Sequence, residues 1–220
     1  RIQQAKFIDK IIVATSDQNE DNAIELLCNQ LEVTCYRGSL NNVLDRFYQV
    51  ANNFKAEHIV RLTGDCPLID SDIINQVIEL HLKNNVDYTS NCIPPTLPDG
   101  LDVEVFSFFA LKTAWKNSEK PSEKEHVTPY IRDNQQLFHK QNFYYHTDLS
   151  HHRWTVDEPE DFELVNEIYQ KLYLENPCFR LDDILKLLKE KPEISALNQK
   201  FKRNEGLQKS LEQDKELGFE

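Results

Sequence analysis

The chain has 220 residues and a formal net charge of −12 at pH 7, with 37 acidic side chains against 25 Lys and Arg. This length suits one α/β domain with a substantial core and leaves little room for a second independent domain. The negative charge, without a basic stripe that carries interleaved aromatic residues, argues against binding to DNA or RNA. No apolar run approaches the roughly 20 residues that a membrane-spanning helix needs.

The cysteines are odd in number and scattered, without the C-x-x-C spacing of a zinc site. They are Cys28, Cys35, Cys66, Cys92 and Cys178. This usage favours reduced thiols, and we therefore expect a cytoplasmic protein. The sequence starts at Arg1, inside what reads as the end of a helix, and it contains no Met. We expect it to be a fragment of a longer protein.

Predicted strands and helices alternate through the first part of the chain. In order they are a strand at 11–15, a helix at 21–29, a strand at 33–36, a helix at 43–54, a strand at 59–62 and a helix at 71–84. Apolar residues at helical spacing support the helices. The alternation predicts an α/β fold with a doubly wound, mostly parallel sheet and right-handed crossovers.

The pattern changes after residue 88. A proline-containing loop at 91–100 precedes a strand at 103–106, helices at 108–116 and 123–134, strands at 143–147 and 153–157, and helices at 160–174 and 181–189. We predict one domain at 1–191, which includes a lobe at 92–150. The remaining segment, 192–220, is predicted to be a polar tail that packs only in part.

The most informative segment is 58–70. Its strand, 59–62, ends abruptly in Gly64 and Asp65, Pro67 closes the turn, and the residues from Asp70 to Asp72 can cap the helix that follows. Ligands of open α/β sheets bind beyond the carboxyl ends of the strands. A glycine there lets a phosphate approach closely, and a carboxylate can hold Mg²⁺. The local pattern agrees equally well with an Asp65 that only hydrogen-bonds its own turn.

Asp157 has a similar setting, because it ends the apolar segment 153–157 and is followed by Pro159. If the two strands were neighbours, Asp65 and Asp157 would meet at one edge of the sheet. Two carboxylates and a triphosphate can together complete a Mg²⁺ site. Alternatively, Asp157 or Glu158 is simply the N-terminal cap of the next helix.

Three further polar residues fall in the middle of the chain. Asp102 and Glu104 alternate with apolar residues, which predicts that both lie on one face of a strand. They could bind sugar hydroxyls or assist a metal, although a solvated strand face is the commoner arrangement. His126 could contact an anion or a hydroxyl, although a histidine in this position is more often structural.

A glycine turn at 37–39 precedes a helix that carries Asp45 and Arg46. Backbone amides of such a turn can contact a nucleobase edge or a phosphate, but the motif alone is weak. Thr15 and Ser16, at the end of the first predicted strand, are similarly ambiguous.

Taken together, these motifs resemble the cytidylyltransferases of the acylneuraminate and 3-deoxy-manno-octulosonate type. The closer likeness is to the branch named for spore coat polysaccharide biosynthesis protein F. The segments that carry the resemblance occur in the family's order along nearly the whole chain. They are 11–16, 36–39 with 43–46, 61–69, 98–106, 125–129, 153–161 and 204–206.

The resemblance implies a Rossmann-like, nucleotide-diphospho-sugar transferase fold. It implies a Mg²⁺-dependent reaction in which a sugar attacks the α-phosphate of CTP and pyrophosphate leaves, for polysaccharide biosynthesis. Asp65 and Asp157 would be the catalytic residues that hold the metal. On this basis we expect the sugar to be bound by Asp102, Glu104 and His126. We expect the nucleotide to be bound by Thr15, Ser16, Arg37, Gly38, Asp45, Arg46 and Gly64.

The sequence departs from the family at its start. The family opens with a strand and a Gly- and Arg-rich loop that cradles the triphosphate. That loop is missing here, so we expect this chain to bind nucleotide poorly and to turn over slowly. The alternatives are a glycosyltransferase that uses a nucleotide sugar, and a non-catalytic binding or assembly subunit. The sequence is compatible with a homodimer and leaves the sugar and the base preference open.

Overall fold

The computed structural model describes residues 1–203 and 205–219. In this part of the chain the strands are β1 (Ile12–Ser16), β2 (Thr34–Gly38), β3 (His58–Arg61), β4 (Tyr88–Ser90), β5 (Glu104–Ser107) and β6 (Lys140–Asn142). The α-helices are α1 (Asn22–Gln30), α2 (Val43–Phe54), α3 (Ser71–Asn84), α4 (Phe108–Asn117), α5 (Pro121–His126), α6 (Pro129–Asp133), α7 (Pro159–Leu172), α8 (Leu181–Glu190), α9 (Pro192–Ser195) and α10 (Glu205–Glu216). Short 3₁₀ helices lie at Ile2–Gln4, Asn19–Asp21 and Ala196–Asn198.

The described strands form two sheets. β1 and β2 pair in parallel, and the second sheet has the order β3-β5-β4-β6. In the second sheet β5 runs antiparallel to both β3 and β4, whereas β6 is parallel to β4. β4 and β5 can run antiparallel because the loop 91–103 joins them without a crossover helix. The predicted α/β class is confirmed, with a mixed larger sheet.

Three predicted elements differ from the observed ones. The helix predicted at 123–134 is divided into α5 and α6, because Val127 has a φ of +71° and Thr128 precedes a proline. The strand predicted at 143–147 is replaced by β6, a few residues earlier. The strand predicted at 153–157 is an extended segment, which a single bridge joins to Asp99 at Arg153.

Apolar side chains cover both faces of the larger sheet. On β5, Val105 packs into a cluster with residues of α3, α7 and α8, and Phe106 packs into a second cluster with residues of α2, α4 and α6. Successive strand residues point to opposite faces, so these two side chains mark the two halves of the core. Because both faces are covered, the strand ends and their loops are where the fold presents polar groups to a ligand.

The turn after β3 is held in place by the start of α3. Asp70 caps α3 by accepting the N–H of Asp72 at 2.8 Å, which agrees with the predicted cap. The second carboxylate oxygen of Asp70 accepts the N–H of Leu181 at 2.8 Å, at the start of α8. Asp70 is 2% exposed. This buried carboxylate therefore fixes the end of the turn that carries Asp65.

The described part of the C-terminal segment is largely helical. α10 packs against α5 and buries Ser210 and Asp214 in the contact. Asp214 accepts the N–H of Ser122 at 3.1 Å, at the start of α5. None of the described helices has both the length and the apolar character that crossing a membrane would require. All of the cysteines are free thiols.

Gly100 lies where two loops touch. Its φ is +101°, and a Cβ atom there would lie 2.6 Å from the carbonyl carbon of Trp154. The Trp154 N–H donates to the carbonyl of Asp99 at 2.6 Å, which holds the two loops together. The close approach of these backbones therefore requires glycine at position 100.

We expect Gly100→Ala to lower the free energy of unfolding by more than the ~1–2 kcal/mol that a left-handed backbone alone costs, because the new methyl group would overlap backbone atoms. Urea denaturation followed by circular dichroism measures the change. Gly206→Ala is the matched control, since a Cβ atom there meets nothing described within 4 Å. That change, inside α10, should be neutral or stabilising by up to about 1 kcal/mol. Equal stabilities of the two variants would contradict this explanation.

Candidate active site

Two acidic turns lie side by side at one end of the larger sheet. The N–H of Val156 donates to the carbonyl of Asp65 at 2.8 Å. The hydroxyl of Thr155 lies 3.2 Å from the Asp65 carboxylate, as a donor. Asp65 is half-buried, and the side chain of Asp157 is 53% exposed. The structure thus brings Asp65 and the segment that ends in Asp157 together, with both carboxylates reachable from solvent.

The capping alternative does not account for Asp157. Glu158 occupies the N-cap position of α7, and Pro159 is its first residue. The carboxylate of Asp161 accepts the N–H groups of Asp157 at 3.1 Å and of Glu158 at 3.0 Å. Because Asp161 satisfies the backbone at the start of the helix, the carboxylate of Asp157 is left for another partner.

That partner in this structure is Arg153. Its guanidinium donates to Asp157 at 2.7 Å and makes two bonds to Asp161, at 3.0 Å and 2.9 Å. A longer contact of 3.4 Å reaches Asp99. Burial opposes the positive charge of Arg153, but the carboxylates outweigh it and raise its pKa. Arg153 therefore links three acids from two loops and the first turn of α7.

The site carries an excess of negative charge. Burial raises the pKa of Asp99, and the nearby charges of Asp157 and Asp65 raise it further, against the opposing effect of Arg203 and Arg153. Among the described residues no group of three or more His, Cys, Asp or Glu side chains has the arrangement of a metal site. This donor set fits a magnesium ion held by one or two carboxylates with the remaining oxygens supplied by phosphates.

Of the residues predicted to bind nucleotide, one group lies at the carboxyl ends of β1 and β2. The Thr15 hydroxyl donates to Asp21 at 2.6 Å and the Ser16 N–H donates to the same carboxylate at 2.9 Å. Hydrogen bonding by the Ser16 side chain, then by the Thr15 side chain and the Ser16 backbone, lowers the pKa of Asp21 to about 2. Arg37 donates to the carbonyl of Ser16 at 2.9 Å and pairs with Glu25 at 2.9 Å. The end of β1 is thus ordered by contacts within the chain.

Arg46 packs beneath this end of the small sheet. It is buried, and its guanidinium donates to the carbonyl of Ala14 at 3.1 Å, while its Nε–H has no partner among the described residues. A Cβ atom at Gly38 would lie 2.9 Å from Arg46 Cγ. Asp45 accepts the indole N–H of Trp115 at 2.8 Å. Glycine at 38 therefore makes room for the Arg46 side chain.

No hydrogen bond or ion pair between described residues joins this group to Asp65 or Asp157. Gly64 is the predicted nucleotide-binding residue that lies next to Asp65. It is exposed, and a Cβ atom there would meet nothing described within 4 Å. The packing of the described chain therefore does not itself require glycine at this position, in contrast to Gly38.

The three residues predicted to bind sugar, called the sugar side below, are all engaged by other parts of the chain. Glu104 is buried and accepts hydrogen bonds from Arg61 at 2.6 Å, Tyr88 at 2.5 Å and Thr128 at 2.6 Å. Burial alone would raise the pKa of Glu104, but its ion pair with Arg61 and these hydrogen bonds lower it. Both carboxylate oxygens of Glu104 are thus occupied.

The other two sugar-side residues contact the C-terminal segment. Asp102 is paired with Arg203, and the His126 ring nitrogen lies 2.9 Å from the Ser210 hydroxyl. Asp102 precedes β5 rather than lying in it, so the predicted common strand face with Glu104 is not formed. The sequence offered no sign that the polar tail would reach these residues.

Four residues of the site were not predicted from the sequence: Asp99, Arg153, Asp161 and Arg203. The first three lie inside segments that carry the family resemblance, but nothing in their local pattern distinguished them from ordinary turn and helix-start residues. The spacing of Glu158 and Asp161, three residues apart at a helix start, was the one usable signal, because an acid at that position often caps a helix.

The chain is similar to known proteins over most of its length. A family model described as Cytidylyltransferase matches residues 1–189. The uncharacterized protein MJ1063 of Methanocaldococcus jannaschii is 41% identical over 202 residues, which are 90% of this chain and 80% of that protein. The spore coat polysaccharide biosynthesis protein SpsF of Bacillus subtilis is 30% identical over 208 residues, 89% of this chain and 83% of that protein.

A solved structure is also similar over most of the chain. It is a cytidylyltransferase from Leptospira borgpetersenii, with a TM-score of 0.84 and 31% identity. The match covers 89% of this chain and 82% of that one. The likeness in sequence is therefore accompanied by a likeness in fold.

The Arg153–Asp161 contact should dominate the stability of the site. Asp161 is 0% exposed, and hydrogen bonds from Arg153, Asn198 and the backbone outweigh its burial and lower its pKa below the usual 3.8. We expect Asp161→Asn to cost about 3 kcal/mol at pH 7, because it leaves donors facing an amide and a buried cation short of a partner.

Urea unfolding as a function of pH tests this expectation. A lowered carboxyl pKa stabilises the fold above the unfolded value, and that contribution is lost as the pH falls through the folded value. The difference between the native protein and Asp161→Asn should therefore be full above about pH 4 and shrink below it. Exposed Asp9→Asn is the control and should change stability by no more than about 0.5 kcal/mol. A constant difference down to pH 2 would contradict the assignment.

Proposed function

The chain belongs to the cytidylyltransferase family, and from this premise we propose that it transfers CMP from CTP to a sugar with release of pyrophosphate. In this reaction a sugar hydroxyl oxygen forms a bond to the α-phosphorus, and the bond between the α-phosphorus and the bridging oxygen breaks. Pyrophosphate is the leaving group, and the hydroxyl proton passes to water.

The observation that carries the proposal is the contact between the two acidic turns, in which Val156 N–H reaches Asp65 O at 2.8 Å. It supports Asp65 and Asp157 as a pair of carboxylates that bind one Mg²⁺ with the triphosphate. When bound there, Mg²⁺ supplies a positive charge that offsets the charge on the phosphates. We propose both residues as catalytic on this basis.

Asp157 can be released for this role at small cost. Its side chain is 53% exposed, whereas Arg153 is 10% exposed and Asp161 is fully buried. If Asp157 turns away from Arg153, the guanidinium keeps its two bonds to Asp161 and its contact with Asp99. Arg153 is therefore not left unpaired when Asp157 turns away, which makes Asp157 a suitable metal ligand.

We propose that the nucleotide lies along the carboxyl ends of the strands, the usual ligand position in such sheets. The predicted nucleotide-binding residues at the ends of β1 and β2 support this, as does the exposed Gly64 beside Asp65. We propose that the sugar approaches from the sugar side, where Asp102 is the acid that keeps a carboxylate oxygen without a hydrogen bond from the described residues.

Free thiols agree with the cytoplasm as the compartment of the reaction. Polysaccharide biosynthesis, the process in the name of the SpsF relative, is the proposed use of the product.

The reaction is tested by incubating the full-length protein with Mg²⁺, each nucleoside triphosphate in turn and a panel of sugars. The panel includes 3-deoxy-manno-octulosonate, an acylneuraminate and neutral hexoses. We expect pyrophosphate release with CTP and only when a sugar is present. Release of a nucleoside mono- or diphosphate from a nucleotide sugar would instead favour a glycosyltransferase. No reaction and no nucleotide binding would favour the non-catalytic subunit.

Asp65→Asn and Asp157→Asn should each lower kcat by at least about a hundredfold, because each removes a ligand charge from the metal. Steady-state pyrophosphate release at saturating CTP measures the loss, and circular dichroism confirms that each variant is folded. Exposed Asp133→Asn removes the same charge elsewhere on the surface and should retain full activity. A normal rate in either site variant would refute its role as a metal ligand.

A further inference from the structure

The segment after α9 reaches the candidate site from far along the chain. Asn198 donates to Asp161 at 2.7 Å, Arg203 pairs with Asp102, and Ser210 contacts His126 at 2.9 Å. All of these contacts come from beyond residue 189, where the match to the family model ends. The C-terminal segment, in its described residues 198–203 and 205–210, therefore forms part of the wall of the site, on the sugar side.

Arg203 joins the C-terminal segment to the loop 97–102. Its guanidinium donates to the carbonyl of Leu97 at 3.0 Å and to the carboxylate of Asp102, and its Nε lies 3.9 Å from the carboxylate of Asp99. The Arg203 side chain is 15% exposed. One side chain from the C-terminal segment thus spans the loop 97–102, at both of its acids.

Asp102 differs from Glu104 in what it leaves open. Glu104 receives three hydrogen bonds and is 5% exposed. Among the described residues, Arg203 is the only group that hydrogen-bonds the Asp102 carboxylate, and it does so at Oδ1. The Asp102 side chain is 28% exposed. Oδ2 of Asp102 is therefore the acceptor on the sugar side that remains for a ligand hydroxyl.

We propose that Arg203 is a positioning residue, which holds the Asp102 carboxylate where it accepts a hydroxyl of the sugar substrate. This inference rests on the proposed function and assigns a role to a segment beyond residue 189, where the match to the family model ends. A guanidinium bonded to one carboxylate oxygen and to a backbone carbonyl restricts the rotation of that carboxylate. It also favours the ionised form of Asp102, whereas burial by itself favours the protonated form.

The electrostatic surroundings of Asp102 give the test. Burial raises the pKa of Asp102 to about 6; the charges of Asp99 and Glu104 act in the same direction, and Arg203 opposes them. The thiols of Cys66 and Cys92 also face this carboxyl group. Removal of Arg203 should raise the pKa of Asp102 further, so that the carboxyl group is protonated and donates rather than accepts.

The first experiment needs no substrate. In the full-length protein with ¹³C-labelled aspartate carboxyl groups, the NMR signal of Asp102 is assigned by Asp102→Asn and titrated between pH 4 and pH 9. We expect Arg203→Gln to shift its titration to higher pH and Arg203→Lys, which keeps the charge, to shift it less. Lys209→Gln removes one charge from the exposed face of α10 and should leave the titration unchanged. An unshifted Asp102 signal in folded Arg203→Gln overturns the proposal.

The second experiment uses the pyrophosphate assay with CTP and whichever sugar is accepted. Arg203→Gln should raise the KM for the sugar about tenfold with little change in the KM for CTP, and it should move the acidic limb of the rate profile to higher pH. An equal rise in both KM values would point to a structural role and overturn the proposal. Failure of the unmodified protein with every sugar would count against the proposed function, whereas the NMR titration decides the role of Arg203 separately.

Discussion

The candidate site depends on the buried ion pair between Arg153 and Asp161. A pair of charges taken out of water is costly unless its remaining hydrogen-bonding groups are satisfied. Asp161 meets this condition, because it accepts two bonds from Arg153, two from backbone N–H groups at the start of α7, and one from Asn198. The pair therefore fastens the extended segment 153–157 to α7 and to the C-terminal segment at once.

Asp161 and Asp157 share the guanidinium of Arg153 but differ in their roles. Asp161 is fully buried and orients Arg153, while the side chain of Asp157 is 53% exposed and is held by the same cation. The carboxylate of Asp157 can turn towards a metal without leaving a buried charge unpaired. The carboxylate of Asp161 cannot, because several donors would lose their acceptor. Burial, rather than residue type, thus separates a structural aspartate from one suited to ligand binding.

The sugar side is assembled on the same principle from remote parts of the chain. Arg61 on β3 forms an ion pair with Glu104 on β5, and Arg203 forms an ion pair with one carboxylate oxygen of Asp102. Each of these two acids has a cation beside it, and among the described residues Asp102 alone keeps a carboxylate oxygen without a hydrogen bond. The chain is strongly acidic overall, with a net charge of −12. The few guanidinium groups at the site therefore determine which carboxylates are available to a ligand. A metal bound with the triphosphate would balance the remaining negative charge.

Much of this fold could be predicted from local patterns, because strand and helix periodicities and turn residues act over a few positions. The alternation of elements through residue 84, the cap at Asp70 and the acids that follow apolar segments are of this kind. The direction of β5, the break at Val127 and the extended form of 153–157 were not predictable in the same way. They follow from loop paths and from packing against residues far away in sequence.

By itself the sequence determined the α/β class, the family and the two turns that end in Asp65 and Asp157. Tertiary structure alone decided that these turns are neighbours, through the 2.8 Å bond from Val156 to Asp65, and that Asp161 rather than Asp157 anchors α7. It also decided that Arg203 reaches Asp102 across 101 positions. The physical reason is that an ion pair depends on distance in space, which the chain sets only when its core has packed.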